Sequence, residues 1–293
     1  GAENELLVGV RKPDLFNIAG PLGNFTYPTG SFWGMHVAGI WQDVFLQAVP
    51  DVRADNVFVK PLVSQDTLEI EVNIRNDSKS AARIAASAKV FQWISLAGND
   101  ADTGPEPLWK LESSPALTLP ETSAGAAAGQ NSTLTLRAPV AGSLKLWTPG
   151  SPNLYGLVVE ITRDGKTIDR KYVRFGWRQF GLSGTKLTLN GKPIQAFGDA
   201  WHFMGVPQMT RRYAWAWFKM LKDANGNAVR LHAQPYPEFY LDVADELGVM
   251  VLDESAIWAS HCAMNYEHPD TFARFKPHVE ALVLRDRNHP SVF

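Results

Sequence analysis

Three short apolar runs in residues 176–293 are each followed by side chains able to recognise or transform a polar ligand. Ile194 to Gly198 leads into Asp199, Trp201 and His202. Ala228 to Leu231, which carries Arg230, leads into His232, Gln234 and Tyr236. Val249 to Leu252 leads into Asp253, Glu254, Trp258 and His261. These residue types favour a sugar. Trp and Tyr faces stack on the apolar C–H face of a pyranose, while Arg, His, Asp and Gln match its hydroxyl groups. Six of the seven histidines fall in this region, so a site is sought there. Other chemistries lack their spacing. Gly198 and Gly205 do not spell a phosphate loop, and no Gly-x-Ser-x-Gly nucleophile elbow occurs. His232 and His261 with Asp253 or Glu254 have no HExxH pattern, so no metal and no cofactor are expected. Bland roles compete for the same residues. Arg230 and Asp253 could form an ion pair at a barrel rim, Glu254 could cap a helix, and Trp215 and Trp217 read as helix packing. His268, His278 and His289 read as surface or structural.

These side chains share a site only if the elements bring three strand ends together. From about residue 176, strands and helices alternate. Lys186 to Pro193 reads as a hairpin turning at Asn190-Gly191. Thr210 is the expected N-cap for a helix to about Ala224, with Gly226 beyond it. Pro237 suits the first turn of a second helix, which Gly248 ends. Asp270 is the expected cap of a third helix carrying Phe275, Val279, Leu282 and Val283, and Ser291-Val292-Phe293 opens a fourth strand. Repeated strand–helix units predict a parallel sheet, either doubly wound or a (β/α)8 barrel, and in both the ligands bind at the carboxyl ends of the strands.

Residues 51–175 have a different pattern. Asn56 to Val59, Thr67 to Ile74, Ala81 to Ile94, Ser132 to Leu136, Gly156 to Ile161 and Lys171 to Phe175 read as short strands, the second with strict period two. Such a run predicts an immunoglobulin-like sandwich. Ala97–Pro107 and Glu121–Gln130 read as exposed loops. In residues 1–50, Leu6 to Val10 and Asp43 to Val49 read as strands around a Gly/Pro/aromatic-rich loop. Two or three strands bury little core, so they are expected to be the tail of an all-β domain. Both chain ends read as cut within a domain, the expectation for a segment of a longer protein.

Composition excludes several partners. The formal charge is −2, with no basic excess for a nucleic acid. No apolar run approaches the ~18–20 residues of a membrane span. The single Cys262 excludes an intrachain disulfide framework and a cysteine-based zinc site. The compartment stays open, with periplasmic or extracellular slightly favoured over cytoplasmic.

Seven segments in order resemble family 2 of the glycoside hydrolases, the β-galactosidase and β-glucuronidase group. They are Gly39-Ile40-Trp41-Gln42-Asp43-Val44; Leu146-Trp147-Thr148-Pro149 to Pro152-Asn153-Leu154-Tyr155; Val173-Arg174-Phe175-Gly176-Trp177-Arg178; Leu189-Asn190-Gly191-Lys192-Pro193; Asn227-Ala228-Val229-Arg230; Val251-Leu252-Asp253-Glu254; and Arg285-Asp286-Arg287-Asn288-His289-Pro290-Ser291-Val292. The resemblance implies a multidomain fold: the end of a jelly-roll sugar-binding domain (1–50), an immunoglobulin-like β-sandwich (51–175) and the first half of a (β/α)8 TIM barrel (176–293). It implies a retaining β-glycosidase acting on O-glycosidic bonds in oligo- or polysaccharides. Both catalytic Glu residues are expected beyond Phe293, so this chain alone is expected to be inactive.

What carries over is a substrate-side set: Trp201, His202, Arg230, His232, Asp253, Glu254 and Trp258. Trp201-His202 replaces the family's more usual paired His, and His232-Ala233-Gln234-Pro235 departs from its Ser-His-Tyr-Pro form, so specificity does not transfer. The alternative is a noncatalytic carbohydrate-binding protein on a degenerate glycosidase scaffold. Expected partners are a carbohydrate and either missing segments of the same protein or further copies of the chain, to cover the open edge of a half barrel.

Overall fold

The computed structural model describes residues 5–10, 40, 44–97, 108–203, 205–257 and 266–293. Ten strands are described in this region, eight in the two sheets of the sandwich and two (β7 and β8) in a separate pair: β1 (Val52–Leu62), β2 (Thr67–Asn76), β3 (Ala82–Ser95), β4 (Trp109–Leu111), β5 (Leu117–Ala126), β6 (Asn131–Pro139), β7 (Trp147–Thr148), β8 (Ser151–Pro152), β9 (Tyr155–Arg163) and β10 (Lys166–Phe175). One sheet has the order β1-β2-β6. The other has β10-β9-β3-β4, with β5 also on β3, and both sheets are antiparallel. Alternation builds the core. Leu68, Ile70, Val72 and Ile74 of β2 are fully buried, beside Leu136 of β6 in the same sheet and in one core cluster with Ile84, Val90, Leu157 and Val159 of the other.

Several expectations need correction. Residues 121–126 are not loop but part of β5, paired with β3 from Ala82↔Ala126 to Val90↔Leu117. Only Leu119 and Ala126 of that strand are buried, so its ladder, not an apolar stripe, defines it. The described residues 5–10 and 44–50 form no strand; Leu6, Leu7, Val44, Phe45 and Leu46 are exposed and have no ladder partner among the described residues. The rest of 1–43 and most of the 97–107 loop lie outside the described residues, so the jelly roll is not established.

Beyond Trp177 come β11 (Phe180–Ser183), β12 (Lys186–Leu189) and β13 (Lys192–Pro193), a small antiparallel sheet. Its turn is at Asn190-Gly191, both with positive φ (53° and 76°), as a two-residue hairpin requires. Then β14 (Gly198–Trp201), α1 (Arg211–Asp223), β15 (Ala228–Leu231), α2 (Glu238–Leu247), β16 (Met250–Leu252) and α3 (Pro269–Asp286) follow. The three strands are parallel and adjacent in chain order, and Val292 extends the sheet by a parallel bridge to Val251. This is the order and direction expected of the opening sector of a TIM barrel.

Thr210 caps α1, its hydroxyl accepting from the Tyr213 N–H at 3.1 Å. Gly248 ends α2 in the left-handed region. Two expected boundaries move. β14 starts at Gly198 rather than Ile194, because the preceding residues are held by the Asn227 side chain, which bonds Phe197 N and Gln195 O. A Cβ at Gly198 would lie 1.5 Å from the Ala228 carbonyl oxygen, so only glycine permits the close start of the β14–β15 pair. The cap of α3 is His268, whose Nδ1 accepts from Asp270 N, not Asp270 itself.

The sandwich closes the amino end of the strands. Trp93, Trp147 and Leu154 pack with Leu189, Ala228 and Met250, the last two being the first residues of β15 and β16. The Trp147 indole N–H donates to the Asp245 carbonyl at 2.9 Å. Asp245 is buried, and its carboxylate accepts from Arg174 (3.1 Å) and Ser291 N (3.0 Å) and pairs with His289 (2.7 Å). Arg174 also binds Asp242 and Glu246 of α2. Arg178 donates to the carbonyls of His289, Pro290 and Val292. The Asn288 amide closes the edge of β1, accepting from Val59 N and donating to Val57 O. With one end sealed, the carboxyl ends remain for a site.

Candidate functional site

Three parallel strands end side by side, so their following residues share one rim. There Arg230, His232, Ala233, Asp253, Glu254, Ser255 and Ile257 line a cleft of about 480 Å³. Its centre is Glu254. Arg230 holds it with two bonds, Nε to Oε1 at 2.5 Å and a terminal nitrogen to Oε2 at 3.2 Å, and the Ala233 N–H donates to Oε2 at 2.6 Å. Burial alone would raise the Glu254 carboxyl. Arg230 and the Ala233 N–H outweigh it and hold the group below the usual carboxylate range. Arg230 therefore pairs with Glu254, not with Asp253 as the rim alternative had it.

The β15 exit makes this possible. Ala233 has φ 54°, a left-handed conformation that an alanine adopts at some cost, and that turn accompanies an N–H directed at the carboxylate. The His232 N–H bonds the Trp201 carbonyl at 2.9 Å, tying the β14 and β15 exits together. The His202 and His232 rings lie 4.3 Å apart. Burial, then the neighbouring His202 and Arg230, keep His232 below the ordinary histidine value. His232 Nδ1 is buried with no hydrogen-bond partner.

Of the expected set, His202, Arg230, His232, Asp253 and Glu254 come together. Trp201 does not face the cleft. It is 3% exposed and stacked on Trp217, ring centroids 3.8 Å apart, with Phe218 beside it. Its side chain alternates to the core, while its carbonyl takes the His232 N–H and the Tyr236 hydroxyl (2.8 Å). Trp258 and His261 lie outside the described residues.

Three contributors lie outside the expected set. The Ala233 N–H carries no side-chain signal. Asp286 and His278, on α3, reach the cleft wall from behind. Asp286 stands in the recognised 285–292 segment, a signal that was available; His278 had none. Among the described residues, Asp242, Asp245 and His289 come close enough to share an ion, but the Arg174 guanidinium already binds both aspartates.

Chemically, the rim offers a fixed anion–cation pair, two adjacent imidazoles and a second carboxyl: donors and acceptors at short spacing, suited to a polyhydroxylated ligand. Among the described residues, it does not present two carboxylates across a gap. Glu254 is committed to Arg230, and Asp253 turns towards Asp286.

Comparison with known proteins agrees with this architecture. The model of glycosyl hydrolases family 2 matches residues 52–178, and the model of the TIM barrel domain of that family matches residues 182–293. A β-galactosidase of Bacteroides ovatus is 32% identical over 167 residues, covering 55% of this chain and 19% of that protein. A β-galactosidase of Vibrio vulnificus is 27% identical over 286 residues, covering 92% of this chain and 25% of that protein. The chain thus spans a quarter or less of the length of these two relatives. The crystal structure of a Bacteroides uniformis β-glucuronidase superposes with a TM-score of 0.68 at 22% identity, over 90% of this chain and 30% of that one, a likeness of fold. Two family models in register over most of the sequence, on a sandwich followed by a barrel sector, place this chain in family 2 of the glycosyl hydrolases.

Proposed function

We propose that this chain is part of a retaining β-glycosidase that hydrolyses O-glycosidic bonds in oligo- or polysaccharides. Its barrel sector supplies the wall that orients the sugar. The observation that carries this is the rim itself: Arg230, Glu254, His232 and His202 converge at the carboxyl ends of adjacent parallel strands. The catalytic carboxylates are other residues than these. Retention needs two carboxyls ~5–5.5 Å apart across the scissile bond, one as acid/base and one as nucleophile. Glu254 is held as an anion by Arg230 and serves to fix the wall. The names of the relatives, β-galactosidase and β-glucuronidase, support a β-linked hexose or hexuronic acid as substrate.

The test uses the purified chain. Nitrophenyl β-D-galactoside and β-D-glucuronide are expected to release no nitrophenol. Saturation-transfer NMR is expected to detect galactose or glucuronate at the cleft, and Arg230→Gln to remove the signal. Turnover that Glu254→Gln abolishes would overturn the assignment of the catalytic groups. Absence of sugar binding in the wild type, with the fold intact, would overturn the orienting role. The noncatalytic alternative is separated by the parent reading frame: an Asn-Glu pair shortly after Phe293 and a later strand-end Glu mark the enzyme.

A further inference from the structure

Residues 253–257 form the wall of the cleft that carries Glu254. On the β15 side it is fixed by Arg230 and Ala233 N. On the opposite side it hangs on α3. The Ala256 N–H donates to Nε2 of His278 at 3.0 Å. The Asp253 carboxyl comes within hydrogen-bond reach of Asp286, the last residue of α3. Asp286 is buried and takes two bonds from Arg285, at 2.6 and 2.8 Å. Asp253 Oδ1 is buried and no donor reaches it.

Both contacts demand an uncharged side chain. An imidazole nitrogen accepts a backbone N–H only when it carries no proton. Two carboxyls attract only when one of them is protonated; two anions at that spacing repel. We propose that His278 and Asp253 are positioning residues that tether the cleft wall to α3 only in their neutral forms, so that acid releases one tether and alkali the other. The wall is then seated within a pH window set by the protein, whichever sugar the cleft takes.

The surroundings favour both neutral forms. Burial, then Arg285, hold His278 below the ordinary histidine value. Burial, then Asp286, push Asp253 well above the usual carboxylate range, against the opposing pull of Arg285 and the Glu254 N–H. Glu238 of α2 adds to the stabilisation of the Arg285 cation. The signs follow from linkage. The His278 tether is present above its unfolded value and is lost as pH falls through the lower folded value. The Asp253 contribution erodes from its unfolded value upward and is gone once pH passes the raised folded value.

The experiment is amide hydrogen exchange by NMR on the whole chain, from about pH 5 to about pH 9, as protection corrected for intrinsic exchange. Protection of the Ala256 amide is expected to fall up to about tenfold on the acid side, the worth of one hydrogen bond. His278→Gln, whose amide oxygen accepts the same N–H at every pH, is expected to abolish that fall. Asp253→Asn is expected to abolish the alkaline fall and leave the acid one. Flat protection in the wild type, or an acid fall that persists in His278→Gln, overturns the proposal. Should the glutamine variant fold poorly, the wild-type His278 ring signals decide. They must titrate in step with the Ala256 amide, and a ring already protonated at neutral pH sinks the idea.

Discussion

The sandwich and the barrel sector solve burial in opposite ways. In the sandwich, two sheets close on each other, and the alternate residues of β2 are fully buried within the domain's own strands. In the barrel sector, three parallel strands carry the chemistry at one end, yet large apolar side chains stay exposed: Phe197 at 59%, Leu252 at 42% and Val283 on α3 at 54%. The sector has a buried cluster of its own between its strands and α1 and α2, and it is fastened to the sandwich by the packing of Trp93, Trp147 and Met250 and by a buried polar network around Asp245. The contrast separates two tasks. The sandwich core supplies stability, and the junction supplies placement of the strand ends where the site is built.

The sharpest way to break this comparison is Asp245→Asn. It removes the charge facing Arg174 and His289 while keeping the shape, and breaking a buried pair by removing one partner costs about 3–5 kcal/mol. Hydrogen exchange is expected to rise in α2 and at residues 289–293 well before β2 and β3 respond. Simultaneous loss of protection in both regions would mean that the two are one cooperative unit. Next in size is Leu136→Ala in the sandwich core, where Leu136 has no exposed surface. A cavity there costs about 2–5 kcal/mol. Leu252→Ala, a matched truncation at the exposed rim, is expected to stay within about 0.5 kcal/mol. Denaturant titration of both variants checks the ratio.

A pH series sharpens the junction further. Burial disfavours the His289 cation, but Asp245 against its Nδ1 raises the group above the ordinary histidine value. A raised value means that the stabilisation is complete below the unfolded pKa and is lost as pH rises through the folded one. The junction is therefore expected to loosen as pH rises above the ordinary histidine value, read as falling protection of the Ser291 amide that Asp245 accepts. In Asp245→Asn that slope is expected to vanish.

Local signals were legible and partner choice was not. Asn190-Gly191, Thr210 and Gly248 announced a turn, a cap and a stop because each acts on backbone within a few residues. The parallel order of β14, β15 and β16 followed from the strand–helix alternation, and with it the shared rim. β5 was hidden because its side chains are small and polar and its strand character lies in ladder bonds to β3. The pairing of Arg230 with Glu254 rather than Asp253 depends on the left-handed turn at Ala233 and on Asp286 arriving from α3, neither of which spacing encodes. Trp201 was placed at the rim by its position at a strand end, but the alternation of the strand turns its ring to Trp217 and the core.

A comparably small stability change is expected at the ion pair of the cleft. The Arg230 side chain is 45% exposed and its partner Glu254 24%, so solvent screens much of their attraction. Arg230→Gln is expected to cost about 0.5 kcal/mol, the scale of a partly exposed pair. Its effect on Glu254 is of another kind. Burial raises that carboxyl and Arg230 opposes it, so removing the cation moves the group back upwards. With Arg230 present, the Glu254 contribution is complete above its unfolded value and fades as pH falls through the lowered folded value. In the variant, carbon-13 NMR of the Glu254 carboxyl is expected to show a higher titration midpoint, while the melting temperature barely moves. A large fall in melting temperature instead would show that Arg230 carries the fold, and the division between a stabilising sandwich and a chemical rim would fail at its most exposed point.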